Sequence, residues 1–360
     1  MSRHATAVRR RWPLLAAGLC LVLVLAAIVV LSMRDPDSPV VSGPTAAQTP
    51  APDPEQVAPA GSGRLGGHQL YVDPTGAAVQ QATEWERGGR TADAAVIRRI
   101  ADRPTATWFA DASPGYPQRA RNLVAAATAA GRLPVLTLYN IPSRDCYGQS
   151  AGGAADATAY RAWVRTLAAA VYGYRALIVL EPDAIPQAVE GCLDADAANE
   201  RFALLAEAVD ALRASPGVLV YLDAGNPTWI TQPARMTSAL RQSGIARAYG
   251  FSLNVANFET TADNVAYGAR LSALLDGAHF VVDTSRNGNG PAQQGAGDRH
   301  WCNPPGRALG EAPTTRTGVP LADAYLWIKR PGESDGACGN SAPAAGQWWP
   351  QYALELAQPR

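Results

Sequence analysis

The hydrophobic and polar positions divide the chain into three stretches. Residues 12–33, "WPLLAAGLCLVLVLAAIVVLSM", are one uncharged apolar run, long enough to cross a bilayer as a helix. Arg3, Arg9, Arg10 and Arg11 precede it. That flank predicts a cytoplasmic segment over residues 1–11 and export of the remainder of the chain. A signal peptide and an uncleaved transmembrane anchor both fit. The anchor is favoured, because the apolar core is long for a signal peptide and no clear A-x-A site comes after it. Residues 34–66 are rich in Pro, Ala, Gly, Ser and Thr, which predicts a flexible, disordered linker with no core of its own. The expected product is therefore extracellular, either membrane-anchored or secreted after cleavage.

From residue 67 to 360 short apolar runs alternate with longer Ala-rich segments. The runs are "TATWFA", "PVLTLYN", "ALIVLEP", "VLVYLDA", "AYGFSLN", "HFVVDTS" and "DAYLWIK". Each is short, β-branched or aromatic, and bounded by turn residues. Hydrophobicity that is continuous rather than alternating predicts strands covered on both faces, as in a parallel sheet. The segments between them, such as "TADAAVIRRIADR" with Thr91 as a helix cap and "ANERFALLAEAVDALRAS", carry helical periodicity. Seven strands alternating with helices make an α/β domain. A closed barrel and an open doubly wound sheet are both compatible. The absence of a phosphate-binding glycine fingerprint after the first strand favours the barrel.

Charge and cysteines refine this picture. Lys+Arg and Asp+Glu balance at 31 each, so no net field draws nucleic acid, and a neutral substrate fits better than a charged one. Outside the apolar run lie Cys146, Cys192, Cys302 and Cys338, an even number that suits disulfides in an oxidising compartment. Four cysteines allow three pairings, of which the sequential one is simplest. The spacing matches no zinc pattern and the four histidines are scattered, so neither metal nor cofactor is expected.

The chemistry sits where the strands end. Asp145, Glu181, Asp183, Asp223 and Asp283 each close or follow an apolar run, and Lys329, Glu333 and Asp335 follow the last. In a parallel barrel those ends share one face, the face that carries active sites. Converging carboxylates without a metal suggest glycoside hydrolysis, which needs a protonated acid for the leaving oxygen and a base or nucleophile opposite. Crowded like charges raise one pKa and keep that acid protonated. Trp108, Trp229 and Trp301 would stand on the same rim, where indole faces stack on sugar rings. Trp163, Trp327 and Trp348 are expected in the core.

"VLEPDAIP" resembles the signature of glycoside hydrolase family 6, the inverting cellulases. "YVDP", "TWFA", "YNIPSRDC", "LDAG", "DTSRNGNGP" and "LWIKRPGESDG" extend the resemblance from about Leu70 to the C-terminus. It implies a distorted seven-stranded β/α barrel and hydrolysis of β-1,4-glucan without a metal. Asp183 matches the general acid. Asp145 matches the aspartate that raises the acid's pKa and serves the proton network of the attacking water, and Tyr139 the tyrosine beneath the distorted sugar. Asp223, Asn254, Lys329, Glu333 and Asp335 match substrate-site positions, Asp335 being a disputed candidate base, and the three rim tryptophans match the stacking ones. Glu181 reads as a structural or hydrogen-bonding partner. The resemblance also supports the pairings Cys146–Cys192 and Cys302–Cys338. Two positions depart from the family pattern: Ala256 in "NVANF", where a serine is frequent, and Asn226 after "LDAG", where a histidine is frequent. The expectation is a monomeric endo-β-1,4-glucanase. Its alternatives are a cellobiohydrolase of the same family and a non-catalytic glucan-binding surface protein. Only ten residues separate "NGNG" from Trp301, which favours an open groove over a tunnel.

Overall fold

The computed structural model describes residues 63–293, 300–339 and 341–358. The basic segment, the apolar run and most of the linker lie outside the described residues, as does much of the stretch between "NGNG" and Trp301. Among the described residues no helix is long and apolar enough to cross a membrane.

Seven parallel strands stand in sequence order: β1 Thr107–Phe109, β2 Val135–Leu138, β3 Ala176–Leu180, β4 Val218–Asp223, β5 Gly250–Leu253, β6 His279–Asp283 and β7 Ala322–Leu326. The sheet curls into a half-barrel, and the Ala106 amide donates to the Trp327 carbonyl, bringing the start of β1 to the end of β7. Helices α1 Ala77–Arg87, α2 Thr91–Ala101, α3 Tyr116–Ala129, α4 Ala157–Val171, α5 Ala184–Val189, α6 Ala195–Arg213, α7 Ala234–Gln242, α8 Thr261–Leu274 and α9 Pro350–Ala357 accompany the strands. Asp156, Asp194 and Thr260 cap α4, α6 and α8 through their side chains, satisfying amides that the first turn leaves without partners. Thr91 is not a cap as expected. It is the first residue of α2, and Arg90 before it pairs with Asp93 in the first turn at 2.7 Å.

Strand alternation sorts side chains to the two faces. On β3, Ala176, Ile178 and Leu180 pack outward into the main core beneath the helices, while Leu177 and Val179 fill the inner core. On β4, Val218, Val220 and Leu222 go outward, and Leu219 and Tyr221 go inward. Continuing the inward series one step reaches Asp223 on β4, Tyr139 after β2 and, after Val281, Asp283 on β6. Polar groups thus converge at the strand ends because the inward parity of each strand runs out there. Trp163 and Trp327 are buried, and Trp348 packs against the cluster of α1, α2 and α9.

The folded body begins before residue 67. Leu65 is 1% exposed in the inner core, Arg64 reaches the buried Asp323 at 3.3 Å, and a Cβ on Gly63 would overlap the Asp323 backbone. Residues 63–66 plug the strand-start mouth of the barrel, so they are body rather than linker.

Candidate active site

The turn after β3 carries the feature that organises the site. Glu181 and Asp183 both have positive φ, 49° and 68°, flanking Pro182. Asp145, Cys146, Asn254 and Ala256 are also left-handed. Such residues cost of order 1–3 kcal/mol each, and they persist where the surroundings over-determine them.

Here the surroundings are specific. Glu181 is fully buried and accepts from the amides of Asn140 and Ile141, at 2.9 and 3.0 Å, clamping the end of β2 to the end of β3. Burial lifts its pKa to about 7 against those donors. The Asp183 amide donates to Asp223 Oδ2 at 2.9 Å, so Asp223 fixes the turn. The Tyr139 hydroxyl lies 3.4 Å from Asp183 Oδ2, and the Trp108 indole meets the Tyr139 ring edge-on at 5.3 Å.

Asp145 opens a short 3-10 turn, Asp145–Tyr147. Its Oδ2 accepts from the Ser150 amide at 2.6 Å and its Oδ1 from Gln187 Nε2 at 3.2 Å. The Gln187 amide in turn donates to the Asp183 carbonyl at 2.9 Å. The Cys146–Cys192 disulfide fastens the same loop to the segment after α5. Asp145 and Asp183 are therefore held as one unit. Gly148 is required beside them, because a Cβ there would run into the Asp145 carboxylate.

Burial, then the Asp223 and Asp145 carboxylates, push the Asp183 carboxyl well above the ordinary aspartate range; Tyr139 and Lys329 oppose this more weakly. Asp223, buried but supplied with amide donors, rises to about 6. Across the face, burial would raise Asp335 too, yet Arg286 and Lys329 hold it below its ordinary value. Arg286 approaches it at 2.8 Å and Lys329 at 3.4 Å, and the Asn303 amide donates to it at 2.9 Å. The Cys302–Cys338 disulfide braces that loop. The arrangement sets one carboxyl, Asp183, whose ionisation is resisted across from another, Asp335, whose ionisation is favoured, the division of labour that acid-assisted cleavage of a glycosidic bond requires.

Sequence and structure agree strongly with one lineage. A model of the family described as "Glycosyl hydrolases family 6" matches residues 65–360. The chain belongs to glycosyl hydrolase family 6. It is 42% identical to endoglucanase A of Cellulomonas fimi over 292 residues, covering 80% of this chain and 61% of that one. It thus spans about three fifths of that relative's length. It is also 42% identical to endoglucanase 1 of Streptomyces halstedii over 295 residues, 80% of this chain and 88% of the relative. Among solved structures, the endoglucanase Cel6 from Mycobacterium tuberculosis, in complex with methyl-cellobiosyl-4-deoxy-4-thio-β-D-cellobioside, superposes with a TM-score of 0.76. It is 44% identical and covers 81% of this chain and 97% of that one.

Within this family member the expected site residues fall into two groups. Asp183, Asp145, Tyr139 and Trp108 come together at the ends of β1 to β3, with Asp223 of β4 beneath Asp183, and Lys329, Glu333 and Asp335 form the opposite bank. Trp229 is partly buried against the core, and Trp301 is 40% exposed beside the second disulfide. Asn254 was expected to touch substrate, but it is fully buried. Its amide group donates to the carbonyls of Glu259 and Asp283, and its oxygen accepts from the Glu259 amide. These bonds hold its own loop and tie it to the end of β6. Asp223 also faces the protein, its oxygens taken by the Asp183 and Gly225 amides and Ser252. It is a positioning residue for the Asp183 turn. Glu333 is buried and paired with Arg330 at 2.8 Å. Ala256 acts through its backbone, its amide donating to Asp283 and its carbonyl accepting from Arg286. Asn226 accepts from Thr228 and Trp229, setting the turn that carries that tryptophan.

The sequence reading missed Gln187, Arg286 and Arg201. Arg201 lies 3% exposed on α6 and donates to the carbonyls of Pro142, Ser143 and Ala184, tying the two catalytic-side turns together. Its signal was an arginine on the apolar stripe of "NERFALLAEA".

Proposed function

We propose that this chain is an inverting endo-β-1,4-glucanase in which Asp183 protonates the leaving glycosidic oxygen. The observation that carries the reading is the Asp183 carboxyl set beside Asp223 and Asp145 with the Tyr139 hydroxyl at 3.4 Å, surroundings that resist its ionisation. Asp145, tied to the acid through Gln187, serves the proton network of the attacking water. Tyr139, with Trp108 against its edge, supports the sugar at the cleavage point. Lys329, Glu333 and Asp335 hold the glucan on the far bank, and Trp229 and Trp301 stack on its rings. The endoglucanase relatives favour internal cleavage over release from chain ends. A complete set of site groups within one chain supports action as a monomer. The apolar run at residues 12–33, with its arginine flank, supports export and tethering to the membrane.

The test uses a soluble β-1,4-glucan. Fresh product followed by proton NMR should appear first as the α-anomer, because water attacks opposite the departing oxygen. Viscosity should fall well ahead of reducing-end release. First appearance of the β-anomer would overturn the mechanism, proportionate viscosity loss would overturn internal cleavage, and no release above an Asp183→Ala control would overturn catalysis.

A further inference from the structure

The strand-start face, opposite the carboxylates, carries a feature that glucan hydrolysis does not use. A cavity of about 310 Å³ opens there, lined by the 67–70 segment, Pro104, Arg132 and the 313–316 segment. Arg132 immediately precedes the start of β2, and Arg316 lies on the segment that runs beside β7 toward its start. Both are exposed, and neither guanidinium has a hydrogen-bond or carboxylate partner among the described residues. His68 stands at the same edge, 3.0 Å from the Arg175 guanidinium just before β3. Arg103, just before β1, is likewise exposed. Elsewhere several exposed arginines are ion-paired: Arg98 with Glu86, Arg161 with Glu207, Arg241 with Asp276 and Arg247 with Asp210. The carboxylates nearest this face are taken as well, Asp102 by Arg98 and Asp323 by Arg64. On the same face Tyr172, between α4 and the start of β3, is 63% exposed, the most exposed large hydrophobic residue among those described.

The chain enters the folded body on this same face, at Gly63 against Asp323. Residues 34–62 separate the apolar run from Gly63, and a flexible chain of that length would span about 30 Å. A body on so short a tether stays within reach of the bilayer, so weak contacts suffice to orient it.

We propose that the strand-start face is a docking surface for a bilayer with anionic headgroups, the Arg132–Arg316 cavity taking a lipid phosphate. Unpartnered arginines are drawn to a negative surface, guanidinium matches phosphate geometry, and an exposed tyrosine settles at headgroup level. Docking this way turns the strand-end site outward, toward a polymer that cannot enter the membrane. The inference extends the tethering reading and rests on it for the partner's identity.

The folded body can be tested alone. The Mycobacterium tuberculosis chain matches it over 97% of its own length, so residues 63–360 are expected to fold without what precedes them. Residues 63–360 are floated with vesicles of phosphatidylcholine alone or with phosphatidylglycerol added. Binding is expected only to the anionic vesicles, with release by salt as the charges are screened. The double variant Arg132→Glu/Arg316→Glu should weaken binding by on the order of tenfold or more. Arg270→Glu on α8 should bind as the parent does, and all three proteins should hydrolyse soluble glucan equally. Inorganic phosphate at equal phosphate concentration should compete poorly. No flotation, flotation unchanged in the double variant, or full competition by free phosphate would overturn the docking surface. None of these results bears on the tether, which is absent from the tested protein.

Discussion

The two ends of the barrel grow from the same seven strands, yet they place their carboxylates differently. At the strand-start end Asp323 has no exposure, and it is surrounded by donors: the Tyr221 hydroxyl at 2.8 Å, His279 at 2.9 Å and Arg64. Its charge is matched, and it locks residues 63–66 into the mouth. At the strand-end face Asp183 is set beside two other carboxylates, and its turn is left-handed. One end uses a carboxylate to close the fold. The other holds one in an environment that resists its ionisation. A protein stores reactivity at the second kind of site and stability at the first.

Substitutions can break this contrast. The largest effect is expected for Asp183→Asn, which keeps shape and hydrogen bonding but cannot donate the acid proton. Turnover of unactivated glucan should fall by about 10²–10⁴-fold, while the thermal midpoint and cello-oligosaccharide affinity stay near the parent's. Retained turnover would remove Asp183 from the acid role. Asp323→Ala should do the reverse. Leaving Arg64 and Tyr221 without their partner should cost about 3 kcal/mol of stability, read by denaturant unfolding, with kcat at 25 °C unchanged. A smaller effect separates Glu181 from the acid. Folding raises its pKa from 4.5 to about 7, so the folded state binds its proton more tightly. That stabilisation is complete below the unfolded value and is lost as pH rises through about 7. Glu181→Gln should therefore flatten the decline in stability between pH 5 and 8, by on the order of 2 kcal/mol. An unaltered slope would show that Glu181 is not the titrating group.

Much of this was legible in the sequence. Six of the seven apolar runs contain their strands and the seventh misses only Ala322 at the start of β7, because a strand buried on both faces must be continuously apolar. The carboxylates were placed on one face by parallel topology alone. The direction in which each side chain points was not legible. Asn254 and Asp223 occupy motif positions, yet they turn to donors and acceptors of their own and neighbouring strand ends, a choice made by local dihedrals such as the φ of 65° at Asn254. The start of the body was also misplaced, since "GSGRLGG" has a linker's composition and only the barrel mouth makes Leu65 a core residue. Arg286 and Arg201 were missed for a related reason: a buried arginine that holds carbonyls or a carboxylate looks like any surface arginine until its neighbours are known.

The central claim is that burial and, after it, neighbouring carboxylates make the Asp183 carboxyl resist ionisation. The alkaline limb of kcat/KM against pH reports that ionisation in the free enzyme, and Asp223→Asn removes one of the two charges while leaving an oxygen to accept from the Asp183 amide. The account predicts that the limb moves to lower pH by about one unit, with the fold intact. A limb that stays where it is in the parent would contradict it.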